Sequence, residues 1–156
     1  MIKDILVMGS QPETWEQALE QTYTALRDHG YVKDSFLSAC IERERNFPTG
    51  LPTEIGVAIP HTGSEHVIVP SICVLRLEKP VFFRDMGNFD NLVEVHYVFN
   101  MALNDGNDQL PMLQAIIRLV KDSKYLLSCK TKSINQIKNE LIEFWCNGNH
   151  REPPLT

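Results

Sequence analysis

The sequence predicts an α/β fold, a mixed β-sheet sandwiched by helices within a single domain. Two stretches of helical periodicity occupy residues 14–45, β-forming runs fill 57–103, and two further helical stretches follow. At 156 residues, two independent cores would leave each half near the marginal size for folding. Hydrophobic residues at 43% and charged residues at 22% exclude a disordered chain or a fibre.

The first helix is expected over residues 14–29. Trp15, Ala18, Leu19, Tyr23 and Leu26 share one stripe, with Glu16, Glu20 and Asp28 mostly elsewhere. Ser10 with Glu13 offers a capping box, and His29-Gly30 a stop. A second helix is expected from Asp34 as N-cap to about Arg45. Its inward residues are Leu37, Cys40 and Ile41, and Glu42 to Arg45 form its polar end. FPTGLPTEIG (47–56) holds two Pro and two Gly, which ends the helix in an ordered loop.

Strands follow. Val57-Ala58-Ile59 is short and apolar and stops at Pro60, which cannot donate to a ladder. Ser71–Leu77 and Leu92–Leu103 are rich in β-formers, with Phe82-Phe83 a brief edge strand between them. Asn104 to Asp108 is turn chemistry, with Asn107 or Asp108 able to cap the next helix. That helix places Leu110, Leu113, Ile117 and Val120 on one face, with Pro111 in its first turn. Ser133 and Gln136 open a last helix through Ile134, Ile137, Leu141 and Trp145. The domain is thus expected to span residues 1–147, with 148–156 as a flexible tail.

Fifteen Lys and Arg against twenty Asp and Glu give a net charge of −5, which argues against a general nucleic-acid binder. No apolar run approaches the roughly 20 residues of a membrane span. The N-terminus carries Asp4 and lacks the basic start and long apolar stretch of a signal peptide. Cys40, Cys73, Cys129 and Cys146 are widely spaced without a CxxC pair, as for free buried thiols. A cytoplasmic protein is expected.

The chain contains no GxGxxG, GxxxxGK[ST], HExxH or GxSxG, which removes the common nucleotide, zinc-protease and serine-hydrolase readings. His61 stands out. GVAIPHTG sets a histidine just after an apolar strand, followed by Thr62-Gly63. A rigid element would hold its ring, and backbone N–H groups of Thr62 to Ser64 could line an anion site around it. An imidazole with an ordinary pKa near 6.5 is largely uncharged at neutral pH and can act as a nucleophile. The plainer reading is a loop histidine that only bonds the backbone.

The GVAIPHT run, preceded by the ERER helix end and followed by ICVLRLE, resembles the enzyme IIA domain of the fructose–mannitol class of the phosphoenolpyruvate-dependent sugar phosphotransferase system. The similarity covers about residues 5 to 146, and R-E-R-N-FPTG from Arg43 resembles the galactitol branch most closely. The resemblance implies a mannitol-type IIA fold and a phosphohistidine at His61, usually on Nε2. The donor would be the histidine phosphocarrier protein and the acceptor a cysteine of enzyme IIB, with sugar entering through the membrane enzyme IIC. No metal, nucleotide or other cofactor is implied.

Arg43 sits at the family's arginine position, where a guanidinium can bind two phosphoryl oxygens at once. Arg45 is its rival, about 200° around the helix. Where mannitol-type members carry a partner histidine, this chain has Gln109, which can donate an amide N–H but cannot gain a proton. Thr62 and His66 are auxiliary candidates, and the plainer reading of His66 is an exposed loop residue. His61 and His66 lack further ligands at metal spacing. A shallow apolar rim of residues such as Phe47, Leu51, Ile59 and Leu110 is the expected docking footprint, although Ile59 reads more readily as core. The alternative from another class is a regulatory IIA-like protein, whose phosphorylation state controls partner binding rather than sugar uptake.

Overall fold

Residues 2–104 and 109–146 are described by the computed structural model. Its first strand, β1 (Asp4–Ser10), is one that periodicity does not reveal. Ile5 and Leu6 are both buried, facing opposite sides of the sheet, so the run shows no apolar–polar alternation. What makes it a strand is parallel pairing with β4 (Ser71–Arg84), from Asp4 opposite Ser71 to Ser10 opposite Leu77.

Between them lie α1 (Trp15–Asp28), α2 (Phe36–Asn46), the two-residue strands β2 (Gly50–Leu51) and β3 (Val57–Ala58), and a 3-10 turn at Ser64–His66. β5 (Leu92–Ala102), α3 (Gln109–Val120), α4 (Ser123–Ser128) and α5 (Ile134–Trp145) complete the described chain. The sheet order is β1-β4-β5-β3-β2. β4 and β5 are antiparallel, β5 and β3 parallel, β3 and β2 antiparallel. The sheet is therefore mixed, as expected.

Helices cover both faces. Ile72, Val74, Phe99 and Met101 join Met112, Ile116, Leu119, Leu141 and Trp145 in the core beneath α3 to α5. Leu6 and Cys73 meet Leu19, Leu26, Phe36 and Cys40 of α1 and α2 on the other face. Successive residues of β4 feed opposite cores because side chains alternate along a strand.

Several expected details change. Thr14, not Ser10, caps α1 by accepting from Gln17 N–H. Ser35 rather than Asp34 precedes α2, because the Asp34 carboxylate is held by Arg27 at 2.5 Å. Ser133 caps α5 as expected, and Gly30 ends α1 at φ 77°, the left-handed conformation that favours glycine. Phe82 and Phe83 are not a separate edge strand. They continue β4, which lies inside the sheet and shifts register between Arg76 and Val81. The buried stripe of α3 is Met112, Ala115, Ile116, Leu119 and Val120, turned by about one residue from the expected face. With apolar residues around most of α3, local spacing leaves that rotation open.

The loop at 47–56 also holds β2, and its glycines have a steric cause. A Cβ on Gly50 would come within 2.5 Å of the Arg84 carbonyl oxygen, and one on Gly56 would run into that of Glu94. All four cysteines are buried free thiols. The proposed cap residues Asn107 and Asp108 and the 148–156 tail lie outside the described residues. No helix among the described residues is long and apolar enough to cross a membrane.

Candidate functional site

β3 ends at Ala58, and the chain continues beside β5. The Pro60 carbonyl accepts from Met101 N–H at 2.9 Å, and His61 bridges to Met101 in parallel register. Proline contributes no donor here, but its carbonyl still serves the ladder. His61 therefore lies beyond the carboxyl end of one of two parallel strands, where open α/β sheets commonly hold ligands.

The half-buried ring is fixed by one short contact. Nδ1 lies 2.8 Å from the Ile59 carbonyl oxygen. A carbonyl only accepts, so Nδ1 carries the proton and Nε2 keeps its lone pair. Burial holds the His61 pKa below the ordinary histidine range. The positive charge of Arg43 pushes the same way, and the Ile59 hydrogen bond opposes both. The neutral, nucleophilic imidazole is the resting form at neutral pH.

A cleft of about 280 Å³ opens around this ring. Arg43, Thr62, Gly63, Ser64 and Gln109 give it polar walls, and Met101, Leu103 and Leu113 supply apolar ones. Three separate parts of the chain thus bring His61, Arg43 and Gln109 together: the end of α2, the segment after β3, and the first residue of α3. The guanidinium of Arg43 lies 5.7 Å from the ring centre of Phe47, within cation–π range. Arg45 instead lines a different pocket with Trp15, Phe83 and Arg84.

Thr62 stands in the cleft wall; His66 does not. His66 Nδ1 lies 2.7 Å from Ser35 Oγ, its Nε2 lies 3.5 Å from Glu65, and its carbonyl accepts from Lys33 N–H at 2.9 Å. It ties the 3-10 turn to the approach to α2. Of the expected rim, Phe47 and Leu110 are exposed at 62% and 64%, whereas Ile59 is core. Among the described residues no cluster of His, Cys, Asp and Glu could hold a metal ion.

Glu44 is a buried carboxylate at the polar end of α2. It is 5% exposed, and its carboxylate accepts from Thr49 N–H at 2.6 Å and Thr49 Oγ1 at 2.7 Å. Burial raises its pKa to about 7 against the opposing effects of Thr49 and Arg43. The charge run 42–45 reads as a solvated helix end, yet Phe36, Cys40 and Glu44 follow an i, i+4, i+8 spacing on one buried stripe. That spacing was the available signal.

Residues 2–144 match the family model described as phosphoenolpyruvate-dependent sugar phosphotransferase system, EIIA 2. The galactitol-specific EIIA component of Escherichia coli K12 is 28% identical over 116 residues, covering 74% of this chain and 77% of that one. The fructose-specific EIIA component of Haloferax volcanii is 25% identical over 146 residues, covering 90% and 92%. The Escherichia coli complex of enzyme IIA mannitol with phosphorylated enzyme IIB mannitol matches at a TM-score of 0.60 and 19% identity, covering 91% and 93%. That last likeness is one of fold.

Proposed function

The chain belongs to the EIIA 2 family of the phosphoenolpyruvate-dependent sugar phosphotransferase system, and on that premise we propose that His61 is the residue through which it carries the phosphoryl group. The donor is the histidine phosphocarrier protein and the acceptor a cysteine of enzyme IIB, which serves the membrane enzyme IIC. The observation that carries this reading is the Nδ1–H bond to Ile59, which leaves Nε2 as the nucleophile.

In the forward step the Nε2 lone pair attacks phosphorus in line. The P–N bond to the donor breaks, and its electron pair returns to the donor imidazole. Nothing is oxidised or reduced. Phosphorylation leaves the His61 ring cationic, and the Ile59 carbonyl then accepts from a more acidic N–H. Such loose transfers depend on positioning and charge stabilisation. Arg43 neutralises two phosphoryl oxygens and Gln109 donates an amide N–H to the third. Thr62 adds a hydroxyl at the cleft wall. In the return step the enzyme IIB thiolate displaces His61.

A galactitol-like polyol is the sugar this reading favours, supported by the FPTG run and the galactitol-specific relative. The test is incubation with phosphoenolpyruvate, enzyme I and the phosphocarrier, followed by intact mass and acid lability. An acid-labile gain of one phosphoryl group by wild type but not His61→Ala is expected. A gain that survives in His61→Ala would overturn the assignment. Transfer onward to enzyme IIB proteins then separates a transport role from a regulatory one.

A further inference from the structure

We propose that Glu44 is a positioning residue for His61: its buried carboxylate clasps Thr49, and through Thr49 and Ile59 it sets the ring's tautomer while anchoring the helix end that carries Arg43. This deepens the carrier reading above and rests on it for its kinetic part.

The connection is continuous. Glu44 Oε2 accepts from Thr49 N–H at 2.6 Å and Oε1 from Thr49 Oγ1 at 2.7 Å. The Thr49 carbonyl in turn accepts from Ile59 N–H at 3.4 Å. The Ile59 carbonyl, at the other end of the same residue, accepts from His61 Nδ1–H at 2.8 Å. Glu44, Thr49 and Ile59 thus link the last turn of α2 to the imidazole.

The clasp also acts on Arg43. Phe47 N–H closes α2 on the Arg43 carbonyl at 2.6 Å, and the Arg43 guanidinium lies over the Phe47 ring. Glu44 grips the chain two residues beyond Phe47, so it fixes the turn on which that stacking depends. One carboxylate therefore registers both the phosphoryl-binding cation and the nucleophile to the same loop. A solvated glutamate at a helix end would do neither. Burial of a carboxylate is costly unless its oxygens are bonded, and here both are bonded to Thr49.

The test uses the full-length protein and two readouts. Two-bond nitrogen–proton NMR of the His61 ring reports which nitrogen carries the proton. Glu44→Ala removes both contacts to Thr49, so the Nδ1–H form gives way to a tautomer mixture. In phosphoryl transfer from the phosphocarrier, kcat falls about tenfold with KM for the donor unchanged, since misplaced reacting groups lose rate rather than docking. Thr49→Val, which removes one of the two bonds, moves both readouts part way, and Thr49→Ser restores them. If Glu44→Ala does not fold, the Thr49 pair decides alone. A His61 ring that stays in the Nδ1–H form with unchanged kcat in the folded variants would overturn the proposal. A wild type that accepts no phosphoryl group would overturn the carrier reading instead, and the tautomer measurement, which needs no donor, still judges Glu44.

Discussion

The carbonyl oxygen of Ile59 stands 2.8 Å from Nδ1 of His61, two residues along the same chain. A residue just past the strand that delivers the histidine thus also selects its tautomer. Ile59 itself is buried core, and its N–H is held by the Thr49 carbonyl.

The first prediction concerns His61 titration. Burial and Arg43 hold its pKa below the ordinary value near 6.5. The folded state therefore favours the neutral ring. Its contribution to stability is complete above the unfolded value and is lost as pH falls through the lower folded one. NMR titration of wild type should give a midpoint below 6.5. Arg43→Gln should move it upward, with burial still acting; a downward move would contradict the field assigned to Arg43.

Arginine placement supplies the second. Arg43 lines the His61 cleft while Arg45 lines a separate pocket. Arg43→Lys should slow phosphoryl acceptance by about one to two orders of magnitude, because an ammonium cannot make the forked contact. Arg45→Lys should leave the rate within twofold of wild type. Equal slowing by both would show a general charge effect.

A third prediction separates docking from chemistry. Leu110 is exposed at 64% beside the cleft residue Gln109. Leu110→Ser should raise KM for the donor with kcat and melting temperature preserved. Phe47 is equally exposed but supports Arg43, so Phe47→Ser should raise KM and lower kcat together. Steady-state kinetics with purified donor distinguish the two patterns.

The fourth concerns stability. The Glu44 pKa, raised by burial from 4.5 to about 7, makes the folded state hold its proton more tightly than the unfolded chain does. That stabilisation is full below about pH 4.5 and is lost as pH rises toward 7. Urea denaturation should show wild type losing stability relative to Glu44→Gln across this window, by at most a few kcal/mol. A constant difference would mean Glu44 stays ionised throughout.

Much of the candidate site was legible in the residues. GVAIPHT marked His61, the ERER end offered Arg43, and the resemblance singled out Gln109. Periodicity located α1, α2 and α5, since each has an apolar stripe bounded by recognisable stop or cap residues. The short α4 was too brief for periodicity to reveal, although Asp122 caps it by accepting from Tyr125 N–H.

Other features depend on chain segments far apart in order. β1 is a strand because Asp4 to Ser10 pair with a strand more than sixty residues later, and no local pattern records that partner. Phe82 and Phe83 belong to β4 because β5 extends alongside them. Arg43 faces the cleft, and Arg45 does not, because α2 turns its Phe36–Cys40–Glu44 stripe toward the sheet. The sequence by itself determined the helical periods of α1, α2 and α5 and singled out His61 as the candidate nucleophile, because both signals reside in neighbouring residues. The tertiary structure alone decided the sheet order, the His61 tautomer and the burial of Glu44, because pairing, desolvation and hydrogen-bond acceptors come from whatever folding packs against a residue.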